Sequence, residues 1–390
     1  EAGAASFSLS APNRRKQAMP RFLRLVLVAA TVVTGARAFT LNKCPLPRVH
    51  RRMPTHVRGH LWTSTYQPAA PFTRHGFEAS PECRGEADPV PVDADASAGA
   101  SSRSNARHIF KMTRPRTLPP SMVLVALGAW GAEHSWAFLR DAVIMQQLGL
   151  VTVLVVLTTA TSMLINDYWD FKLQVDSEEN SEEKVLVARK VTPDAVKGAL
   201  KWLYALHLGL LLLINQQSLR VCIYLNTMAT FLYTRHFKPV PGVKNLLCAG
   251  VIATTVATGA TVVKGGLAPG VSAVWPAMAI LGGGIMHREI AMDVTDAEGD
   301  RRAGLRTLPV MFGSTGALLV SCVPVLVAIG ASACRSAHPL ASSVPLLVMV
   351  ALALKAAHAA RRGGDATNEI ATAVEYAFPL LFVGMLLALI

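Results

Sequence analysis

Six aspartates stand in two groups. Asp167, Asp170 and Asp176 crowd the stretch MLINDYWDFKLQVDSEEN (163–180), and Asp293, Asp296 and Asp300 punctuate HREIAMDVTDAEGDRRAGLRTLPV (287–310). Asp167 and Asp170 are spaced i, i+3, and the second set i, i+3, i+7, so a helix running through either would line them up along one stripe. Each group directly follows an apolar run, where charge is expensive: one Asp at a bilayer centre costs about 2.5–3.5 kcal/mol. The carboxylates must therefore lie at a water-accessible mouth, accompanied by cations. Carboxylate oxygens facing one another across a bundle suit a hard divalent ion, and Mg²⁺ takes one or two carboxylates, several waters and substrate phosphates. The implied ligand is a diphosphate. Arg114, Lys172, Lys238, Lys244, Arg301 and Arg306, expected on the same face, could take the remaining phosphate charge.

The elements that must hold these groups are apolar helices. With 52% hydrophobic and 16% charged residues, the 390-residue chain reads as an all-α, polytopic membrane bundle enclosing a cavity open to the lipid. A hydrocarbon core of about 30 Å needs roughly 20 apolar residues as helix. Residues 142–165, 245–263 and 308–333 qualify without an internal charge, and 117–132, 199–214, 219–234, 270–286, 339–354 and 370–390 are weaker candidates, nine in all. Crossing nine times puts Arg103, Arg107, Lys111, Arg114, Arg116 and the basic residues after the second, fourth, sixth and eighth spans on one side. The opposite connections hold Arg140, Arg220, Lys264 and Arg335. That asymmetry assigns the charge-rich side, with both acidic groups, to the cytosol-equivalent compartment.

The formal charge of +13 has a local origin, because residues 1–77 carry twelve Lys/Arg against one acid, Glu1. The basic balance thus belongs to a leader and gives no support to nucleic-acid binding. Residues 1–38 read as upstream sequence plus a signal peptide: a Met19 start, an apolar stretch from Leu23 to Val33 and a small-residue exit at Ala36-Arg37-Ala38. Residues 39–77, opening on Phe39 and free of acids, look like a transit segment, and 78–106 reads as a disordered linker. The whole resembles a bipartite plastid address, the alternative being a plain secretory or mitochondrial leader. Six scattered cysteines form no metal pattern.

On NDYWD after the second span, DVTDAEGD after the sixth, RPRTLP before the first, YTRHFKP after the fourth and nine expected spans, residues 107–390 resemble the UbiA-type intramembrane prenyltransferase superfamily. The resemblance implies two Mg²⁺ ions on an isoprenyl diphosphate, with Asn166, Asp167, Asp170, Asp293, Asp296 and Asp300 as metal-site residues. Asp176, six residues after Asp170, matches the naphthoate-prenylating branch, whereas DVTDAEGD is more like the homogentisate and chlorophyll branches. The chain departs from the family after the first motif. There a basic residue, Pro and then Ser-Gly are usual, and KVLVARKVTP (184–193) puts Ala188-Arg189 in place of the Ser-Gly turn while Lys184 and Lys190 keep the charge.

The activity implied is transfer of a prenyl group to an aromatic acceptor of lipoquinone or tocopherol type in a plastid membrane, with the mouth facing the stroma. Esterification of the tetrapyrrole chlorophyllide is the alternative. Diphosphate departure leaves an allylic cation that the faces of Tyr168, Trp169 or Tyr233 could stabilise, though packing or interfacial anchoring is the simpler account of each. Asp176 or Asp300 could take the acceptor proton. His207 reads as a packed residue, Gly282-Gly283-Gly284 as a close helix approach or kink, and Glu375 as a hydrated helix end. A cation-dependent transporter is the reading from another class, but transporters keep ionisable groups near mid-membrane on broken helices. A non-catalytic scaffold is the third.

Overall fold

The computed structural model describes residues 98–172, 184–238, 240–302, 304–362 and 366–390, with side chains from Ser104 onward. The expected leader and transit segment, most of the linker, and Asp176 lie outside these residues. Among them every regular element is helical: α1 (Ala98–Met112), α2 (Leu118–Glu133), α3 (Ala142–Lys172), α4 (Pro193–Leu211), α5 (Gln217–Leu232), α6 (Val243–Lys264), α7 (Leu267–Arg302), α8 (Leu308–Ala333), α9 (Pro339–Arg361) and α10 (Thr367–Leu389). Each of the nine apolar stretches picked out by hydropathy coincides with one of α2–α10. Six of them, α3 and α6–α10, are long and apolar enough to cross a membrane. α2 and α5 have 16 residues each, short of the roughly 20 a bilayer asks for, and α4 carries Asp194, Lys197 and Lys201 in its first half.

α1 starts at Ala98, inside the stretch read as linker. It is anchored where its C-terminal end meets the bundle, with Met112 buried and Ile109 half-buried against Leu164 and Ile165 of α3. The sharp reversal into α2 uses Arg114 in the left-handed region (φ 51°) and a short 3₁₀ turn, Pro115–Thr117. α4 begins on Thr192, whose hydroxyl accepts from the Ala195 N–H, with Pro193 at the first helical position. α8 is broken near its start by Gly313 (φ 71°), so Leu308–Phe312 forms a separate turn.

α7 is the central helix, packed against α6, α8 and α10, while α2 crosses α6 and α9 joins α8 and α10. The crossings rely on small residues, as expected where lipid tails offer no hydrophobic drive between helices. A Cβ on Gly128 of α2 would overlap the Val256 carbonyl of α6, and one on Gly259 of α6 would overlap the Val125 carbonyl of α2. In the glycine triplet of α7, Gly283 abuts Pro324 and Ala328 of α8 and Gly284 abuts Leu381 of α10, whereas Gly282 has room. The close-approach reading therefore applies to two of the three. The two largest core clusters follow these crossings, one around α7 (Val274, Ile280, Leu281, Leu346, Leu381) and another between α2, α3, α5 and α6 (Val125, Val151, Leu154, Leu219).

Candidate functional site

The two acidic motifs meet at one end of the bundle, and the meeting point is a single connection. α3 continues as helix past its apolar run through Asn166, Asp167 and Asp170 to Lys172, and α7 continues past Met286 through Asp293, Asp296 and Asp300 to Arg302. Between them the segment after α5 turns through a π-helical stretch, Tyr233–Phe237, and reaches α6 at Val243. π-turns recur at functional sites because they re-aim side chains, and this one delivers a lysine to each motif. Lys238 Nζ lies 2.5 Å from Asp170 Oδ1, and Lys244 Nζ lies 2.5 Å from Asp293 Oδ1. Two aspartates on different helices are thus tied to lysines six residues apart, Lys238 at the end of the π-turn and Lys244 in the first turn of α6.

Both aspartates are desolvated: Asp170 is 4% exposed and Asp293 6%. Each also accepts from an amide. Asn166 Nδ2 donates to Asp170 Oδ2 (2.8 Å), and Asn245 Nδ2 donates to Asp293 Oδ2 (3.0 Å). Thr234 in turn donates to Asn166 Oδ1 (3.2 Å), which fixes the way that amide points. Such saturation is what a buried carboxylate requires, since an unpaired one costs several kcal/mol. Asp167 is nearer the surface, with the Arg114 guanidinium at 2.9 Å and Lys184 Nζ at 3.9 Å. Along α7 the stripe is split by exposure: Asp293 and Asp300 are buried, and Asp296 lies at the exposed rim. Asp300 Oδ2 is buried with no hydrogen-bond partner.

Of the basic residues expected to serve phosphate, Arg114, Lys238 and Lys244 are brought to the aspartates. Lys172 and Arg306 are exposed. Arg301 is bound instead to Glu298 on the outer face of α7, as i, i+3 spacing on an exposed helix favours. Trp169 stacks edge-on with Tyr168, centroids 5.7 Å apart, and carries the Arg235 guanidinium 5.0 Å above its ring; both aromatics pack beside the α1–α3–α4 cluster, which favours anchoring over cation stabilisation for this pair. His207 is fully buried with Nε2 2.9 Å from the Thr227 hydroxyl, a packed polar pair between α4 and α5. Thr234 and Asn245 were not foreseen as site residues. The signal for Asn245 was an amide at the mouth of an apolar span, directly after a lysine.

No three Asp, Glu, His or Cys groups converge as an assembled metal site among the described residues. The donor set is nonetheless the one a hard cation uses, carboxylate and amide oxygens only. Asp300 Oδ2 and Asn245 Oδ1 are buried and unsatisfied, and the ammonium groups on Asp170 and Asp293 are cations that a divalent ion can replace. The residues fit Mg²⁺.

Fold and site together define an intramembrane helical bundle with a buried, cation-balanced acidic site at one end. Comparison with known proteins agrees. The model of the UbiA prenyltransferase family matches residues 118–383. A digeranylgeranylglyceryl phosphate synthase of Natronomonas pharaonis is 33% identical over 208 residues, 52% of this chain and 71% of that protein. That of Halobacterium salinarum is 39% identical over 196 residues, 50% and 63%. Among solved structures, one reported for digeranylgeranylglyceryl phosphate synthase in membranes superposes with a TM-score of 0.56 at 18% identity, covering 73% of this chain and 97% of the other. A UbiA homolog from Aeropyrum pernix K1 gives 0.52 at 15% identity, covering 73% and 99%. The chain belongs to the UbiA prenyltransferase family and is a multi-pass membrane enzyme of prenyl transfer.

Proposed function

We propose that this enzyme moves a prenyl group from an isoprenyl diphosphate to a lipid-soluble acceptor in a plastid membrane, at a mouth facing the stroma, with two Mg²⁺ ions held by Asp167, Asp170, Asp293, Asp296 and Asp300. The observation that carries this reading is the convergence of Asp170 and Asp293, from separate helices, on Lys238 and Lys244, which flank the entry into α6 six residues apart. When bound, Mg²⁺ neutralises the leaving diphosphate, as Lewis-acid catalysis requires. The chain's own part is electrostatic. Lys238, Lys244 and Arg114, which balance these aspartates here, would donate to diphosphate oxygens while the C–O bond breaks if the carboxylates held Mg²⁺ instead. Asn166, held by Thr234, keeps the Asp170 carboxylate aimed inward. The allylic carbon then bonds to the acceptor, whose proton passes to a carboxylate; Asp176 and Asp300 are the candidates.

Two acceptor classes follow from two observations. The Asp170-to-Asp176 spacing supports a naphthoate ring of lipoquinone type, and DVTDAEGD a tocopherol-type ring, with chlorophyllide esterification the related alternative. The matched relatives, named for a glyceryl phosphate lipid, support a phosphate-bearing glycerol ether acceptor. Purified protein incubated with labelled geranylgeranyl or phytyl diphosphate, a panel spanning both classes, and Mg²⁺ or chelator discriminates them. Mg²⁺-dependent product with one class identifies it. No product with any acceptor, in protein that binds the donor normally, returns the transporter or scaffold reading.

A further inference from the structure

The turn where the sequence leaves the family pattern holds a left-handed residue. Arg189, standing where Ser-Gly would place its glycine, has φ 52°. The turn is closed around it: Ala188 N–H donates to Lys184 O (2.9 Å), Arg189 N–H to Leu186 O (3.1 Å) and Lys190 N–H to Val185 O (3.1 Å). Val185, Leu186 and Val191 are buried against Leu164 and Ile165 of α3 and Met112 of α1, which pins the turn over the end of the helix bearing the first motif. Its first residue, Lys184, reaches Asp167.

An L-residue in this conformation is strained where glycine would not be, and strain of this kind, held in place by the surrounding structure, clusters at active sites and ligand clamps. The same conformation recurs once at this mouth. Arg114 (φ 51°) is the other left-handed arginine among the described residues, and its guanidinium reaches Asp167. Both arginines are exposed, but no described carboxylate pairs with the Arg189 side chain. A guanidinium is a planar fork of donors matched to phosphate oxygens.

We propose that Arg189 is a specificity-determining residue of the mouth, contacting a phosphate oxyanion of a bound substrate, supplied either by the donor's diphosphate or by a phosphate on the acceptor. This rests on the prenyl-transfer reading above and adds a residue to it. The test compares Arg189→Gly, which removes strain and charge together, with Arg189→Gln, which removes charge alone, and Arg189→Lys, which restores charge. In detergent, the Gly and Gln variants are expected to raise one KM about tenfold, with partial rescue by Lys, and the Gly variant to have a Tm no lower than the parent. A rise confined to the acceptor KM names the acceptor phosphate as the source; a rise in the donor KM names the diphosphate. If neither KM moves and the Gly variant is simply more stable, the proposal is overturned. It is overturned equally if the effect appears only in anionic vesicles and not in neutral detergent, because the guanidinium then serves the lipid surface. Should no acceptor be turned over, equilibrium binding of non-hydrolysable geranylgeranyl thiolodiphosphate with MgCl₂, and separately of geranylgeranylglyceryl phosphate, replaces KM. Parent and Gly variant binding both equally would sink the assignment of Arg189 while leaving the donor site intact.

Discussion

Replacing Lys244 with methionine keeps the aliphatic stem and deletes the charge. Lys244 and Asp293 are 11% and 9% exposed as side chains and 2.5 Å apart, so the substitution strands a carboxylate that has little water of its own. Breaking a buried pair costs about 3–5 kcal/mol. Asn245 still donates one hydrogen bond, and the site opens towards a hydrated rim, which lowers the expected loss to about 2–3 kcal/mol. At roughly 2–4 °C per kcal/mol for a domain of a couple of hundred residues, Lys244→Met should lower Tm by about 4–12 °C in detergent containing EDTA. The sign then changes with the cation. Mg²⁺ replaces the missing positive charge beside Asp293, so the variant should gain more Tm from saturating MgCl₂ than the parent, whose site must first release a lysine. Thermal unfolding of both proteins, with EDTA and across a MgCl₂ titration, reads this directly. An unchanged Tm in EDTA, or identical Mg²⁺ gains, would refute the view that lysine and magnesium compete for one carboxylate.

Two further perturbations probe the frame and the support of the site. Gly128→Val forces a side chain into the Val256 carbonyl across the α2–α6 crossing; overpacking of about 1–3 kcal/mol or more is expected, seen as a lower Tm or reduced accumulation in the membrane, while Gly198→Ala, with open space around it, should be neutral. Asn245→Ala removes the amide donor to Asp293 and should cost about 1–3 kcal/mol, with a weaker apparent Mg²⁺ affinity in the same titration.

Much of this arrangement was legible in the residues. The i, i+3 and i, i+7 spacings of the aspartates anticipated that α3 and α7 would run on as helices beyond their apolar runs, and α7 does so for sixteen residues past Met286. Charge asymmetry put both motifs on one face, in keeping with Lys238 and Lys244, six residues apart at the entry into α6, binding one motif each. Which cation meets which carboxylate was not legible, because pairing depends on the π-turn at Tyr233–Phe237, a local geometry without a sequence period. Arg301 shows the limit from the other side: its type and position suited phosphate, yet Glu298, one turn away on an exposed face, claims it. Hydropathy located α2, α4 and α5, but their short or charged sequences do not by themselves establish a crossing. α1 escaped notice because AGASSRSNARHIFKM is polar on average and is anchored through Ile109 and Met112 at its end.

Diphosphate release from labelled geranylgeranyl diphosphate, followed in purified protein with its acceptor and saturating Mg²⁺, examines the paired acidic site most directly when parent, Asp170→Asn and Asp293→Asn are compared. Either amide keeps the side-chain shape and the fold, which matching Tm values would verify, and either should reduce release by at least a hundredfold, as does chelation of the parent. Release at the parent rate in a folded Asp293→Asn variant, or undiminished by chelator, would contradict a shared Mg²⁺–diphosphate site built from both motifs.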